Sequence, residues 1–230
     1  VLSYKDIAEA VFTPEDYQGG AYYGFHVKWS LQDDRLMVVV RWVADDAFSP
    51  GVLTGRAGKI YAITFRPDGS DIQIAIQNAD WRHGGHHPNW CPDGERVMMN
   101  LKLGGSKNPL RFVSARYDGT DLQTMTECCL GSGHPALHPN GRQIVTDAYT
   151  AEPVAFDDGS VPIRLIDLED SSDTTLVRIP SQPDWRGNNG EFRVDPHPAW
   201  DRSWTRVVFN GYVDGTRRVF LADLSTVLHA

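Results

Sequence analysis

No apolar run in these 230 residues approaches the roughly 20 that a membrane-spanning helix needs, so the sequence offers no helical span. Basic charge is also in short supply: 22 Lys and Arg face 30 Asp and Glu, a formal net charge of −8. A nucleic-acid-binding protein needs a basic face to neutralise phosphates, so that class is disfavoured. An anionic ligand is disfavoured too, unless a local cluster of cations reverses the field. Cysteine is scarce. Cys91, Cys128 and Cys129 are odd in number, and adjacent residues such as the last two fit disulfide geometry badly. All three read as free thiols in a reducing compartment, which leads to the expectation of a cytoplasmic protein. A small, buried apolar role suits them better than catalysis. There is no Gly-x-Ser-x-Gly elbow, so a complete serine hydrolase is not encoded. No segment shows a convincing helical period.

What is present is a repeat. His87-Pro88-Asn89-Trp90 is echoed by His134-Pro135-Ala136-Leu137, by His197-Pro198-Ala199-Trp200 and, more loosely, by His26-Val27-Lys28-Trp29. Arg35, Arg96 and Arg206 follow their His by nine residues, and Arg142 follows His134 by eight. An apolar run comes after each Arg. Repeats are read first because they determine the architecture.

Around each motif the chain reads as short strands with turn signals every 8–12 residues, an all-β signature. The motif His are 61, 47 and 63 residues apart. Such periods match four-stranded antiparallel propeller blades with loop insertions. About four blades are expected. The first strand of each would line a central channel, bringing the four motif His around one axis. Residues 6–12 read as the outer strand of an earlier blade, and position 1 is Val. The expectation is therefore one β-propeller domain over 1–230, an incomplete C-terminal portion of a larger ring with an exposed, association-prone sheet face. In the fourth unit the outer strand is only hinted at by Thr226-Val227-Leu228. Trp29, Trp90 and Trp200 read as blade core, and the recurring Arg as inter-blade salt bridges.

The stretch from His87 to the Pro92-Asp93-Gly94 turn, with its echoes at 134 and 197, resembles the blades of TolB-like propellers. The added His before Pro is more particular and is similar to the oligogalacturonate lyase family, polysaccharide lyases built on a seven-bladed propeller. The resemblance covers nearly the whole chain at the level of blade motifs. It implies channel-facing His residues, some holding a divalent metal, typically manganese, and one acting as base. By position, His87 matches the base-bearing strand, His134 the metal His of the next blade, and Asp195-Pro196-His197 the metal cluster after that. The family has Gln and two His in that cluster, where this chain offers Asp195 and His197.

The implied chemistry is β-elimination from a uronate oligosaccharide, as in pectin degradation. A base removes the proton next to the carboxylate, and a metal or Arg stabilises the enolate-like charge. His suits the base, with His86 a rival to His87. Arg82 and Arg193, shortly before two His motifs, could grip the carboxylate bidentately. Two imidazoles and a carboxylate (His134, His197, Asp195) suit manganese or a similar ion. Plainer roles stand beside these. A motif His can hydrogen-bond a neighbouring blade, His26 above all, Asp195 can cap a turn, and His138 and His83 fit turn or rim positions. The competing class is a non-catalytic TolB-like propeller acting as a protein-docking or ligand-binding module. A propeller partner of a hydrolase is a third possibility.

Overall fold

The structure is a computed structural model that describes residues 2–16, 18–44, 48–49, 52–53, 58–182 and 192–228. The chain divides into two compact units, residues 1–108 with 113–123, and residues 109–112 with 124–230.

The chain enters on a helix, α1 (Tyr4–Val11), not on the strand expected for residues 6–12. A capping box explains the difference. The Ser3 hydroxyl accepts the Asp6 N–H at 3.2 Å, and the Asp6 carboxylate accepts the Ser3 N–H at 2.7 Å. The buried face of α1, Ile7 and Ala8, turns toward a sheet: Ile7 packs with Val38, Val40, Tyr61 and Ile63.

Strands follow in chain order: β1 (Gly20–Trp29), β2 (Leu36–Ala44), β3 (Phe48–Ser49), β4 (Val52–Leu53), β5 (Lys59–Phe65) and β6 (Gln73–Ile76). After a short helix, α2 (Asn78–Trp81), come β7 (Gly85–Trp90), β8 (Arg96–Leu101), β9 (Arg111–Arg116) and β10 (Gln123–Thr124). The remaining strands are β11 (Ala136–Leu137), β12 (Gln143–Thr146), β13 (Ser160–Asp167), β14 (Asp173–Pro180), β15 (Ala199–Trp200), β16 (Arg206–Val213) and β17 (Thr216–Asp223). They form antiparallel sheets β1-β2-β5-β6, β7-β8-β9-β10, β11-β12-β13-β14 and β15-β16-β17, with β3-β4 a separate pair. Each sheet takes its strands in chain order, as in a propeller blade, with the β3-β4 pair inserted between β2 and β5 of the first. The fold is all-β and built of such blades, as the repeat led us to expect. The fourth sheet shows three strands among the described residues, and Thr226-Val227-Leu228 lies in a turn. No helix among the described residues is long and apolar enough to cross a membrane.

Within each unit, blade packs on blade through alternate strand positions. In the first unit Met37, Val39 and Ala62 of blade one meet Trp90, Val97, Met99 and Val113 of blade two. In the second, Val145, Val161 and Ile163 of blade three meet Val207, Phe209 and Leu224 of blade four. Burial of these rows is the main favourable term in such a sheet stack. The motif Trp also supplies a directed contact. Trp90 Nε1–H donates to the Lys28 carbonyl at 3.1 Å, and Trp200 Nε1–H donates to the Ala136 carbonyl at 3.0 Å. Trp90 is core and Trp200 half-buried, but Trp29 is exposed, contrary to the expectation for it.

The repeated Arg residues pair within a blade, not between blades. Arg35 meets Asp71, Arg96 meets Asp121 at 2.7 Å, Arg142 meets Asp167 at 2.6 Å, and Arg206 meets Asp223 at 3.5 Å. Each Arg opens or precedes the second strand of its blade. Antiparallel pairing returns an Asp to that same end, so the short partner distance is the intra-blade one.

Candidate functional site

Three of the four motif His occupy left-handed backbone: φ is 56° at His26, 56° at His87 and 47° at His197. A non-Gly residue there is uncommon, and His is among the types that tolerate it. The register slips at the same places, between Phe25 and Lys28 on β1 and between His86 and Asn89 on β7. A bulge re-aims the side chain it carries. In blade three the left-handed residue is Gly133, φ 46°, one position before His134. A Cβ on Gly133 would collide with Asp147. That glycine therefore lets the backbone close over the carboxylate.

In the first unit the His87 ring lies 4.9 Å from that of His86 and 5.9 Å from that of His26 (centroid distances), and Phe25 packs edge-on against His26 at 4.5 Å. The Asn100 side-chain amide sits 3.3 Å from Nδ1 of His86. Lys28 Nζ donates to the Pro88 carbonyl at 2.9 Å and to Asn89 Oδ1 at 3.3 Å. Burial holds its ammonium down at about 8. Arg82 is the exposed C-cap of α2.

The second unit holds a tighter cluster. Asp147, 1% exposed, directly follows the buried strand β12. Its Oδ1 accepts the His134 backbone N–H at 2.6 Å, and its Oδ2 accepts the His197 backbone N–H at 2.9 Å. The same carboxylate lies 2.9 and 3.0 Å from His134 Nδ1. A carboxylate only accepts, so Nδ1 carries the proton, and Nε2 is left to accept the Tyr149 hydroxyl at 3.3 Å. The His134 and His197 rings stack at 3.4 Å, 26° from parallel. Arg193 lies over the Tyr149 ring at 5.4 Å and forks onto Asp195 at 2.8 and 2.9 Å. Burial pushes the Tyr149 phenol up, and the Asp195 and Asp147 carboxylates reinforce it. Glu152 accepts the backbone N–H of Tyr149 at 2.8 Å and of Gly133 at 3.1 Å, tying the loop after β12 to the motif.

Of the residues singled out from the sequence, the structure brings His134 and His197 into ring contact. Asp195 is engaged by Arg193, so its carboxylate faces a guanidinium. Both ring nitrogens of His134 have hydrogen-bond partners. Among the described residues, no group of three or more His, Cys, Asp or Glu is arranged to hold a metal. The donor set His134, His197 and Asp195 therefore does not fit the expected ion as it stands. His87 and Arg82 lie in the first unit, and Arg193 in the second. Sequence reasoning passed over Asp147, Tyr149 and Glu152. The available signal was an acid directly after a short strand and two residues before an aromatic.

Cys91 and Cys129 are buried and Cys128 exposed, all unpaired with one another. Burial pushes the Cys91 thiol up to about 12, which suits a core residue and not a nucleophile.

No family model matches the chain. Among solved structures it is similar to an oligogalacturonate lyase in complex with manganese: 14% identity, 91% of this chain and 67% of the other, TM-score 0.50. It is also similar to TolB from Acinetobacter baumannii: 12% identity, 97% of this chain and 58% of the other, TM-score 0.50. The chain has a TolB-like propeller fold. A prolyl endopeptidase structure shares it as well: 11% identity, 90% of this chain and 28% of the other, TM-score 0.54. At these identities the likeness concerns the fold alone. A curated relative, the uncharacterized protein Atu1656 of Agrobacterium fabrum, is 24% identical over 132 residues, 54% of this chain. The chain spans 43% of that protein's length, less than half.

Proposed function

We propose that this propeller acts on uronate oligosaccharides by β-elimination, with the working groups of the second unit carrying the proton transfer. The observation behind the proposal is the hydrogen-bonded series Asp147–His134–Tyr149, with Arg193 against the Tyr149 ring. In this reading Arg193 turns its fork from Asp195 to the substrate carboxylate. The Tyr149 oxygen takes the proton next to that carboxylate while its own proton passes to Nε2 of His134. Asp147 stabilises the resulting imidazolium. The C–O bond to the leaving sugar breaks as the C=C bond forms, and the imidazolium returns a proton through Tyr149 to the leaving oxygen. No step passes through manganese, which is a feature of the similar lyase and does not fit the donors here.

The test is incubation with oligogalacturonates, read by ultraviolet absorbance of the unsaturated product. Tyr149→Phe keeps the ring and should lower turnover by about 10²–10⁴-fold, the usual worth of a positioned acid–base group. His87→Ala separates this reading from one in which His87 is the base, because it should retain most activity if Tyr149 does the work.

One observation favours the non-catalytic alternative. Arg193 is already matched to Asp195, and Asp147 bonds the backbones of two blades, so the network also reads as a lock between them. A docking or ligand-binding propeller would give no unsaturated product from any uronate, and Tyr149→Phe would alter stability alone.

A further inference from the structure

One guanidinium in the first unit lacks the countercharge that its equivalents have. Among the described residues, every other Arg that is buried or half-buried has a carboxylate partner: Arg35, Arg96, Arg111, Arg116, Arg142 and Arg164. Arg41, half-buried on β2, meets no carboxylate among them. Its guanidinium lies over the Phe25 ring at 4.2 Å, its Nη1–H donates to the Tyr23 hydroxyl at a long 3.5 Å, and its buried Nε has no partner. A ring face offsets only part of what a charge loses on leaving water.

The groups around it add donors. Register pairs Arg41 with Tyr23 and Val39 with Phe25, so these four share one face of blade one. That face is turned to blade two, because Val39 and Phe25 pack in the rows that join the two blades. The site therefore lies between blades that the chain itself supplies. From Phe25 the rings continue to His26 at 4.5 Å, from there to His87 at 5.9 Å, and on to His86 at 4.9 Å. Equivalent bulges on neighbouring blades, each with a left-handed His, bring His26 and His87 together. The Asn100 amide donates to Nδ1 of His86, so the proton of that imidazole sits on Nε2. His26 is exposed and Tyr23, His86 and His87 are half-buried, which leaves the group open to a solute.

We propose that this face of the first unit binds a phosphoryl dianion, with the Arg41 guanidinium and the Tyr23 hydroxyl as anchor and the His26, His87 and His86 imidazoles alongside. The class of ligand follows from the donors. A planar guanidinium suits phosphate and carboxylate alike. Three imidazoles beside it favour the ligand of greater charge, and near neutral pH a phosphoryl group carries about −1.5 to −2. Half-burial strengthens each such contact by lowering the local dielectric. The cluster also supplies the local cations that a chain of net charge −8 needs in order to hold an anion. The site uses no member of the Asp147–His134–Tyr149 series, so it does not depend on the proposed lyase activity.

Calorimetric titration of the full chain with inorganic phosphate, glycerol phosphate and acetate, at one ionic strength, tests this. Phosphate should bind, and acetate about tenfold more weakly or less. Tighter binding of glycerol phosphate would make the ligand a phosphate monoester, and tighter binding of phosphate would make it the free ion. Arg41→Met should weaken phosphate binding by about 10- to 100-fold, the worth of a hydrogen bond to a charged group. Arg206→Met, which removes an exposed Arg of blade four, should leave it unchanged. Independently of any variant, phosphate should shift the imidazole nuclear magnetic resonance signals of His26, His86 and His87 in the wild type. The signal of His138, bonded to the Trp204 carbonyl, should stay in place. No binding of phosphate, equal binding of acetate, full affinity in Arg41→Met, or shifts confined to other histidines would each overturn the proposal.

Discussion

Replacing Asp147 by Asn preserves the shape of the side chain and removes its charge. The carboxylate accepts three N–H groups, from the His134 backbone, the His197 backbone and His134 Nδ1. Hydrogen bonds to a charged group contribute about 1.5–3 kcal/mol each, against about 1 kcal/mol for neutral pairs. Asn keeps one acceptor oxygen but turns an NH₂ group toward a donor. One bond is therefore lost and the other two fall to neutral strength, a loss of about 2.5–7 kcal/mol. The effect should be local, because the three donors join the motifs of blades three and four. Hydrogen exchange of the peptides containing His134 and His197 reads it directly. At 1.4 kcal/mol per tenfold, exchange there should quicken by roughly 60- to 100,000-fold. Peptides from β1 and β2 should be unchanged. A loss below about 1 kcal/mol at those two sites would refute the reasoning, since it would mean that Asp147 is no better than a neutral acceptor.

Lys28 and the cysteines supply further tests. Burial lowers the Lys28 ammonium from 10.5 to about 8 in the folded chain, so between those values the unfolded state binds more protons. Stability should therefore rise with pH through that window, by an amount of order 1–3 kcal/mol, and Lys28→Met should flatten the rise in denaturation curves taken across it. With Cys91 and Cys129 buried and their thiols pushed up, only Cys128 should react promptly with a thiol reagent near neutral pH, and all three in denaturant. Prompt labelling of Cys91 in the native chain would contradict its burial.

Much of the fold was legible because its signals are local. The Pro92-Asp93-Gly94 turn is an example: the Asp93 carboxylate accepts the backbone N–H of Glu95 at 2.9 Å and of Arg96 at 3.1 Å, all within three residues. The capping box at Ser3 and Asp6 was equally local, but an apolar stretch at 7–12 fits a strand as readily as one short helix turn after turn. The intra-blade Arg pairs were harder. Arg35 and Asp71 are 36 residues apart, Arg206 and Asp223 only 17, so no constant spacing announced them.

The repeat of His, apolar residue and Arg determined by itself that this chain is built of propeller blades. Period-2 strands and their turns depend on neighbours in sequence, which a sequence displays. It also placed His134 and His197 at equivalent positions of successive blades. Only the tertiary structure decided what surrounds their rings. Asp147 reaches the His197 backbone 50 residues away, Tyr149 returns to His134 from the loop after β12, and Arg193 takes Asp195 for itself. Hydrogen-bond partners of a buried carboxylate are selected by ångström-scale geometry after the chain has closed on itself. Residue type and spacing do not carry that geometry.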